Sequence, residues 1–236
     1  MRHSIMLGLT LAAFAPAAVH AQSCLGLPSY NKVPTQLRAS LMTGNDVTNL
    51  GGALSWGSPG PFASVSAGFV DFDGIDENAV TLGFDVGYQV TSSGVSRPRP
   101  SDSRQAPSHA GINTRWCPMG SFEYQVGPEF DFFGESIDLS AWTLSGGAML
   151  GLPLAGATNL QLIPTGGAAL AYTKVSTDAG PYGSGSSSET YGIISLGLGL
   201  LMNETLGVRP LIRFPIGLEG ADPILAITVS WVMGGR

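Results

Sequence analysis

The sequence predicts an all-β chain closing into a transmembrane, antiparallel up-and-down β-barrel of about ten strands, with eight as the alternative count. Three observations predict it. From Thr35 to Met233 the chain runs through segments in which apolar residues alternate with small or polar ones, each bounded by Gly, Pro, Asn or Asp. The non-apolar face of these segments is mostly Gly, Ala, Ser and Thr, where the outward face of a soluble β-sandwich would carry charge. Finally, the composition combines 33 Gly and only 12% charged residues with a mean hydropathy of +0.22, unlike a soluble domain of average charge content.

The N-terminus sets the compartment. Met1-Arg2-His3 is a short basic start, Ile5 to Ala18 an apolar stretch broken by Pro16, and Val19-His20-Ala21 a small-x-small cleavage site. Residues 1–21 therefore read as an export signal and 22–236 as the barrel domain. A lipid-modified Cys24 fits less well, because such sites need a small residue just before the cysteine and Leu a little further back, whereas Ala21-Gln22-Ser23 supplies no Leu. Cys24 and Cys117 are the only two cysteines. In an oxidising space they are expected to form one disulfide.

The strands follow in order as 36–43, 47–56, 61–71, 79–90, 117–127, 138–152, 159–175, 189–203, 206–217 and 223–233. Val80, Leu82, Phe84, Val86, Tyr88 and Val90 alternate with Thr81, Gly83, Asp85, Gly87 and Gln89. Phe122, Tyr124 and Val126 alternate in the same way with Ser121, Glu123 and Gln125. The uncharged stretch Leu139 to Thr173 imitates a pair of membrane helices. Pro153, Pro164 and the Gly146-Gly147 and Gly166-Gly167 pairs, together with apolar residues at every second position, make it two strands instead. Thr190 to Met202 carries Ile194, Leu196, Leu198, Leu200 and Met202 on one face, and the last strand carries Leu225, Ile227, Val229, Trp231 and Met233. Trp56, Phe62, Tyr88, Trp116, Trp142, Tyr172, Tyr191 and Trp231 are expected at strand ends or on the lipid face, as interfacial girdles.

An even strand count places both termini in the periplasm. The turns at 57–60, 153–158 and 203–205 then face the periplasm, and loops 72–78, 128–137, 176–188 and 218–222 face outward. Cys117 comes to the same rim as Cys24. The connection 91–115, rich in Ser, Pro and Arg, reads as a flexible periplasmic insertion. It is either solvated or in contact with peptidoglycan or a periplasmic partner.

Turning the apolar faces outward points Arg38, Asp85, Glu123, Arg209 and Arg213 into the lumen. Isolated charges there are costly, so a salt-bridge network that plugs the channel is expected, unless some of them lie in water-filled ends. No catalytic residue emerges. Once His3 and His20 leave with the signal, His109 is the single histidine, and no cofactor or clustered metal site is expected. Asp71, Asp73, Asp76 and Glu77 gather around Gly74 with a faint likeness to a calcium loop, but without its ligand spacing they read first as a solvated acidic turn. A net charge of −6 argues against nucleic acid as a partner.

The signal, the meandering strands and the aromatic-bearing last strand together resemble the small outer-membrane barrels of the OmpA/OmpX-like type, across nearly the whole mature chain. The resemblance implies a bacterial outer-membrane location, lipid and the barrel assembly machinery as partners, and a monomer; such families include structural anchors, small pores, adhesins and a few enzymes, and no enzymatic activity is expected because His109, the single candidate base, lies in the long connection far from any obvious nucleophile partner. The chain departs from that pattern at the end, where Trp231 is followed by Val232-Met233-Gly234-Gly235-Arg236 instead of a terminal aromatic. A structural or narrow-pore role follows. The alternatives are a secreted or surface-attached soluble β-sheet binding protein, and a barrel that transports a small apolar compound.

Overall fold

A computed structural model describes residues 35–44, 47–57, 60–74, 77–92, 114–132, 135–154, 160–178, 180, 183–203, 205–218 and 220–233. The expected signal, Cys24, Asp76, His109 and residues 93–113 of the insertion lie outside them. The strands are β1 (Thr35–Gly44), β2 (Val47–Gly57), β3 (Pro61–Phe72), β4 (Ala79–Tyr88), β5 (Val90–Ser92), β6 (Thr114–Phe132), β7 (Glu135–Gly151), β8 (Leu160–Asp178), β9 (Ser184–Met202), β10 (Leu206–Ile216) and β11 (Ile224–Val232). β4 and β5 both pair with β6 and form one stave interrupted at Gln89. Successive staves pair antiparallel, and β1 pairs with β11 from Gln36↔Val232 to Thr43↔Leu225, so the sheet closes as a ten-strand barrel. Closure leaves no stave with an unpaired edge, the condition for a sheet to cross hydrocarbon.

The period of two decides what faces where. On β1, Gln36, Arg38, Ser40 and Met42 are buried while Leu37 and Leu41 are exposed. The same alternation exposes Phe69, Leu82, Leu144, Leu170, Leu196 and Leu225 around the wall. That continuous apolar exterior is the lipid face of a membrane-spanning barrel. The end of the barrel that carries the first residue of β1 and the last of β11 is called the lower rim here. Trp56, Tyr88, Trp116 and Trp231 all stand exposed near it, as an aromatic girdle.

Several sequence expectations are corrected. Strand β6 continues past Gly127 to Phe132, after a register shift between Val126 and Glu129, because Gly127 takes a positive φ of 86° and lets the chain bulge and resume pairing. Strand β9 begins at Ser184, so the expected loops 128–137 and 176–188 are largely hairpin. The Ser/Gly-rich start of β9 is solvent-exposed on both faces and held by backbone pairing to β8, from Asp178↔Ser184 onward. Polar composition therefore signals a loop where the ladder continues. The insertion is shorter than 91–115, because Thr91, Ser92, Thr114 and Arg115 are already paired between β5 and β6. Two aromatics expected outside point inward. Phe62 lies with its ring over Gly87, its register partner on β4, which has no side chain to oppose it, and Tyr191 is buried beside Ala171, Ile193 and Leu218.

Inside, composition changes with height. Toward the upper rim lie apolar clusters: Val47, Val70, Phe72 and Ala79; Met42, Leu211 and Ala226; Leu139, Ala141 and Val175. Below them the interior is mixed, with Arg38, Ser64, Asp85, Ser121, Ser145, Thr165 and Arg209 buried beside apolar Phe62, Met149 and Ile163.

Candidate functional site

The polar middle of the lumen is the place where this chain concentrates chemistry. Arg38 is brought inward by the alternation of β1, and its register partner on β2 is the small Ala53, which leaves room for the guanidinium to reach β3. Arg38 Nη2 donates to Ser64 Oγ at 3.0 Å, and the Ser64 hydroxyl donates to Asp85 Oδ2 at 2.6 Å. Arg38 Nη2 also stands 3.8 Å from Asp85 Oδ2, with both side chains fully buried. This chain of contacts links β1, β3 and β4 across the inner wall.

Hydroxyl pairs continue the polar layer around the barrel. Ser121 on β6, the register partner of Asp85, shares a 2.6 Å hydrogen bond with Ser145 on β7. Thr143 and Thr173 share one at 2.8 Å, and Thr173 lies 3.5 Å from the Tyr191 hydroxyl. Such cross-strand pairs satisfy buried polar atoms within the wall itself.

All five of the sequence-named charges, Arg38, Asp85, Glu123, Arg209 and Arg213, are buried on the inner face. The structure joins Arg38 with Asp85 directly. Arg213 lies in the attractive field of Glu123 and Asp85, and its Nη1 is 3.8 Å from Met42 Sδ. Arg209 differs, because the charged groups acting on it are Arg213 and Arg38, both cationic. Sequence reasoning missed Ser64, Thr165 and Tyr191. Ser64 was visible as an inward position opposite Asp85.

The remaining named residues lie elsewhere. Cys117 is fully buried toward the lower rim and its thiol is not free. Asp71, Asp73 and Glu77 are exposed at the upper rim, and among the described residues no three His, Cys, Asp or Glu side chains gather as a metal site. An interior cavity of about 20 Å³, bounded by Ser121, Ser145, Gly147, Met149, Ala168, Ile193 and their neighbours, has room for about one water.

No family model and no curated protein matches the chain. Solved structures do. The translocator domain of the autotransporter NalP from Neisseria meningitidis is 13% identical, covering 98% of this chain and 96% of that one, with a TM-score of 0.46. The N-terminal β-barrel domain of Pseudomonas aeruginosa OprF is 10% identical over 85% of this chain and 97% of that one, with a TM-score of 0.33. Ail, the attachment invasion locus protein of Yersinia pestis, is 13% identical over 84% and 92%, with a TM-score of 0.35. None of them assigns a role to a residue of this chain. The chain's own closed wall, apolar exterior, aromatic girdle and polar inner face make it a small transmembrane β-barrel of the outer-membrane type.

Proposed function

We propose that the protein is a non-enzymatic component of the bacterial outer membrane, a monomeric barrel with a structural or narrow-pore role whose lumen is closed by the charged layer at its middle. The observation that carries this reading is the buried Arg38–Ser64–Asp85 chain, which commits a guanidinium and a carboxylate to each other inside the barrel. An ion crossing this level would have to displace a paired, desolvated charge. The small interior cavity beside Ser121 and Ser145 supports the same reading. Export by the N-terminal signal, insertion by the assembly machinery and lipid as the surrounding partner complete it. A soluble binding protein fits poorly, because it would leave Phe69 63% and Leu170 67% exposed to water.

Planar-bilayer conductance of the purified barrel tests the proposal. The wild type is expected to show little or brief conductance, and Arg38→Ala or Arg213→Ala to raise it. A wide, steady wild-type pore, or variants that fold and conduct no more than the wild type, would count against a closed lumen.

Transport of a small apolar compound through the wall is a second reading, favoured by one place. The β9–β10 ladder skips Arg209 and Pro210, since Pro210 has no N–H to donate, and an apolar groove lined by Leu41, Leu196, Leu198, Pro210, Ile212 and Ile227 runs over that gap. Uptake of a fluorescent fatty acid into vesicles containing the barrel separates the two readings. Uptake above that of protein-free vesicles favours transport, and equal uptake favours the closed barrel.

A further inference from the structure

The lower mouth of the barrel is dry. Gln36 on β1, Ser55 on β2, Phe62 on β3, Met149 on β7, Ile163 on β8 and Ser230 on β11 each lie within four residues of the lower end of their strand. All face inward and are 5% exposed or less. Water entering from below would meet side chains this close to the rim first, so a dry ring spread over these staves calls for a cover. The short turns at this end do not supply one. The β7–β8 connection continues its ladder instead of crossing the opening, with Leu152 N–H donating to the Pro164 carbonyl and Leu154 N–H to that of Leu162.

Cys117 faces inward at the same rim, fully buried and disulfide-bonded, and the sequence holds one other cysteine, Cys24. β1 and β6 stand four staves apart around the ten-strand wall, so Cys117 is almost opposite Thr35, the first residue of β1. With strands about 4.8 Å apart and tilted about 40°, such a wall is about 20 Å across. The stretch 25–34 that joins Cys24 to β1 reaches about 33–36 Å when fully extended, enough to cross. Because the Cys117 side chain points into the lumen, its partner must meet it from within the mouth. The composition of the stretch suits that course. Pro28 and Pro34 favour an extended chain, Leu25, Leu27, Tyr30 and Val33 match the apolar Phe62, Met149 and Ile163, and Lys32 is the only charge.

We propose that residues 25–34 form a strap that crosses the lower mouth and is pinned on the far wall by a Cys24–Cys117 disulfide, covering the lumen from below. The other stretch joined to this rim is the insertion 93–113, which starts and ends on neighbouring strands, β5 and β6, and so has no need to cross. The strap does not depend on whether the charged middle of the lumen blocks ions.

The test follows hydrogen peroxide oxidation of two buried methionines, Met149 at the lower mouth and Met42 in the upper apolar cluster. Peptide mass spectrometry reads both rates in the full-length barrel, folded in detergent. Reducing the wild type after folding and capping its thiols with iodoacetamide should free the strap, speeding Met149 several-fold and leaving Met42 unchanged, because sulfoxide formation follows exposure. Cys24→Ser/Cys117→Ser should behave alike. Deleting 93–113 with both cysteines kept should leave Met149 as slow as in the wild type. Met149 that stays slow in both released forms would mean that the mouth is covered without the strap, and would overturn the proposal. Equal acceleration of both methionines would reduce the bond to a brace for the whole barrel, and fast Met149 in the deletion would make the insertion the cover. Either result overturns it too.

Discussion

Replacing Asp85 by Asn tests the interior design most directly. The substitution keeps shape and removes charge, leaving Arg38 buried opposite a neutral amide. With Nη2 and Oδ2 3.8 Å apart, the gross attraction at an effective dielectric constant of about 20 is about 4 kcal/mol. The Ser64 hydroxyl, now donating at 2.6 Å to a charged acceptor, would lose part of a further contribution of about 1.5–3 kcal/mol. Desolvation of the two ions opposes both terms, and single removals from buried pairs cost about 3–5 kcal/mol. Asp85→Asn should therefore destabilise the folded barrel by roughly 3 kcal/mol or more, measured by urea unfolding in detergent or lipid vesicles. Arg38→Met should cost a comparable amount. The double variant Arg38→Met/Asp85→Asn should recover much of that loss, since neither partner is then left charged and buried. A single-variant cost below about 0.5 kcal/mol, or a double variant whose loss equals the sum of the singles, would refute the claim that these side chains stabilise each other.

Three further outcomes follow from the wall and its rims. Leu170, which stands exposed at mid-height on β8, should cost roughly 2–4 kcal/mol of stability in lipid vesicles when replaced by Arg, and an unchanged folding yield in vesicles would contradict the lipid-facing assignment. Gly87→Ala drives a methyl group into the Phe62 ring; it should destabilise the barrel by about 1–3 kcal/mol, and Phe62→Leu in the same chain should restore most of the loss, as chemical unfolding would show. Peptide mapping without reductant should recover Cys24 linked to Cys117. Reduction should then lower stability by roughly 2–5 kcal/mol, and unlinked peptides with free Cys24 would exclude the pairing.

Much of the barrel was legible in the sequence. A two-residue period is a local property, so the run from Val80 to Tyr88 already separates a lipid face from a lumen face, and the inward placement of Arg38, Asp85, Glu123, Arg209 and Arg213 follows from counting alone. Local composition failed where pairing overrode it. Gly127-Pro128 carries the residues of a turn yet forms only a bulge, after which the β6–β7 ladder resumes, and the Ser/Gly-rich start of β9 lies in a ladder sustained by backbone hydrogen bonds that are indifferent to side chains. The inward turn of Phe62 was likewise unreadable, because it depends on Gly87 standing beside it in the register between β3 and β4.

Alternation along each strand was enough to determine that this chain is a barrel with charges inside, since facing is fixed by parity and the cost of charge in lipid. The tertiary structure alone decided which charge meets which. Arg38 finds Asp85 because closure brings β1 within reach of β4 over the small Ala53, while Arg209 is left facing Gly197 and Thr165. Those distances depend on strand register and on side chains from non-adjacent strands crossing a shared lumen, neither of which any single stretch of sequence encodes.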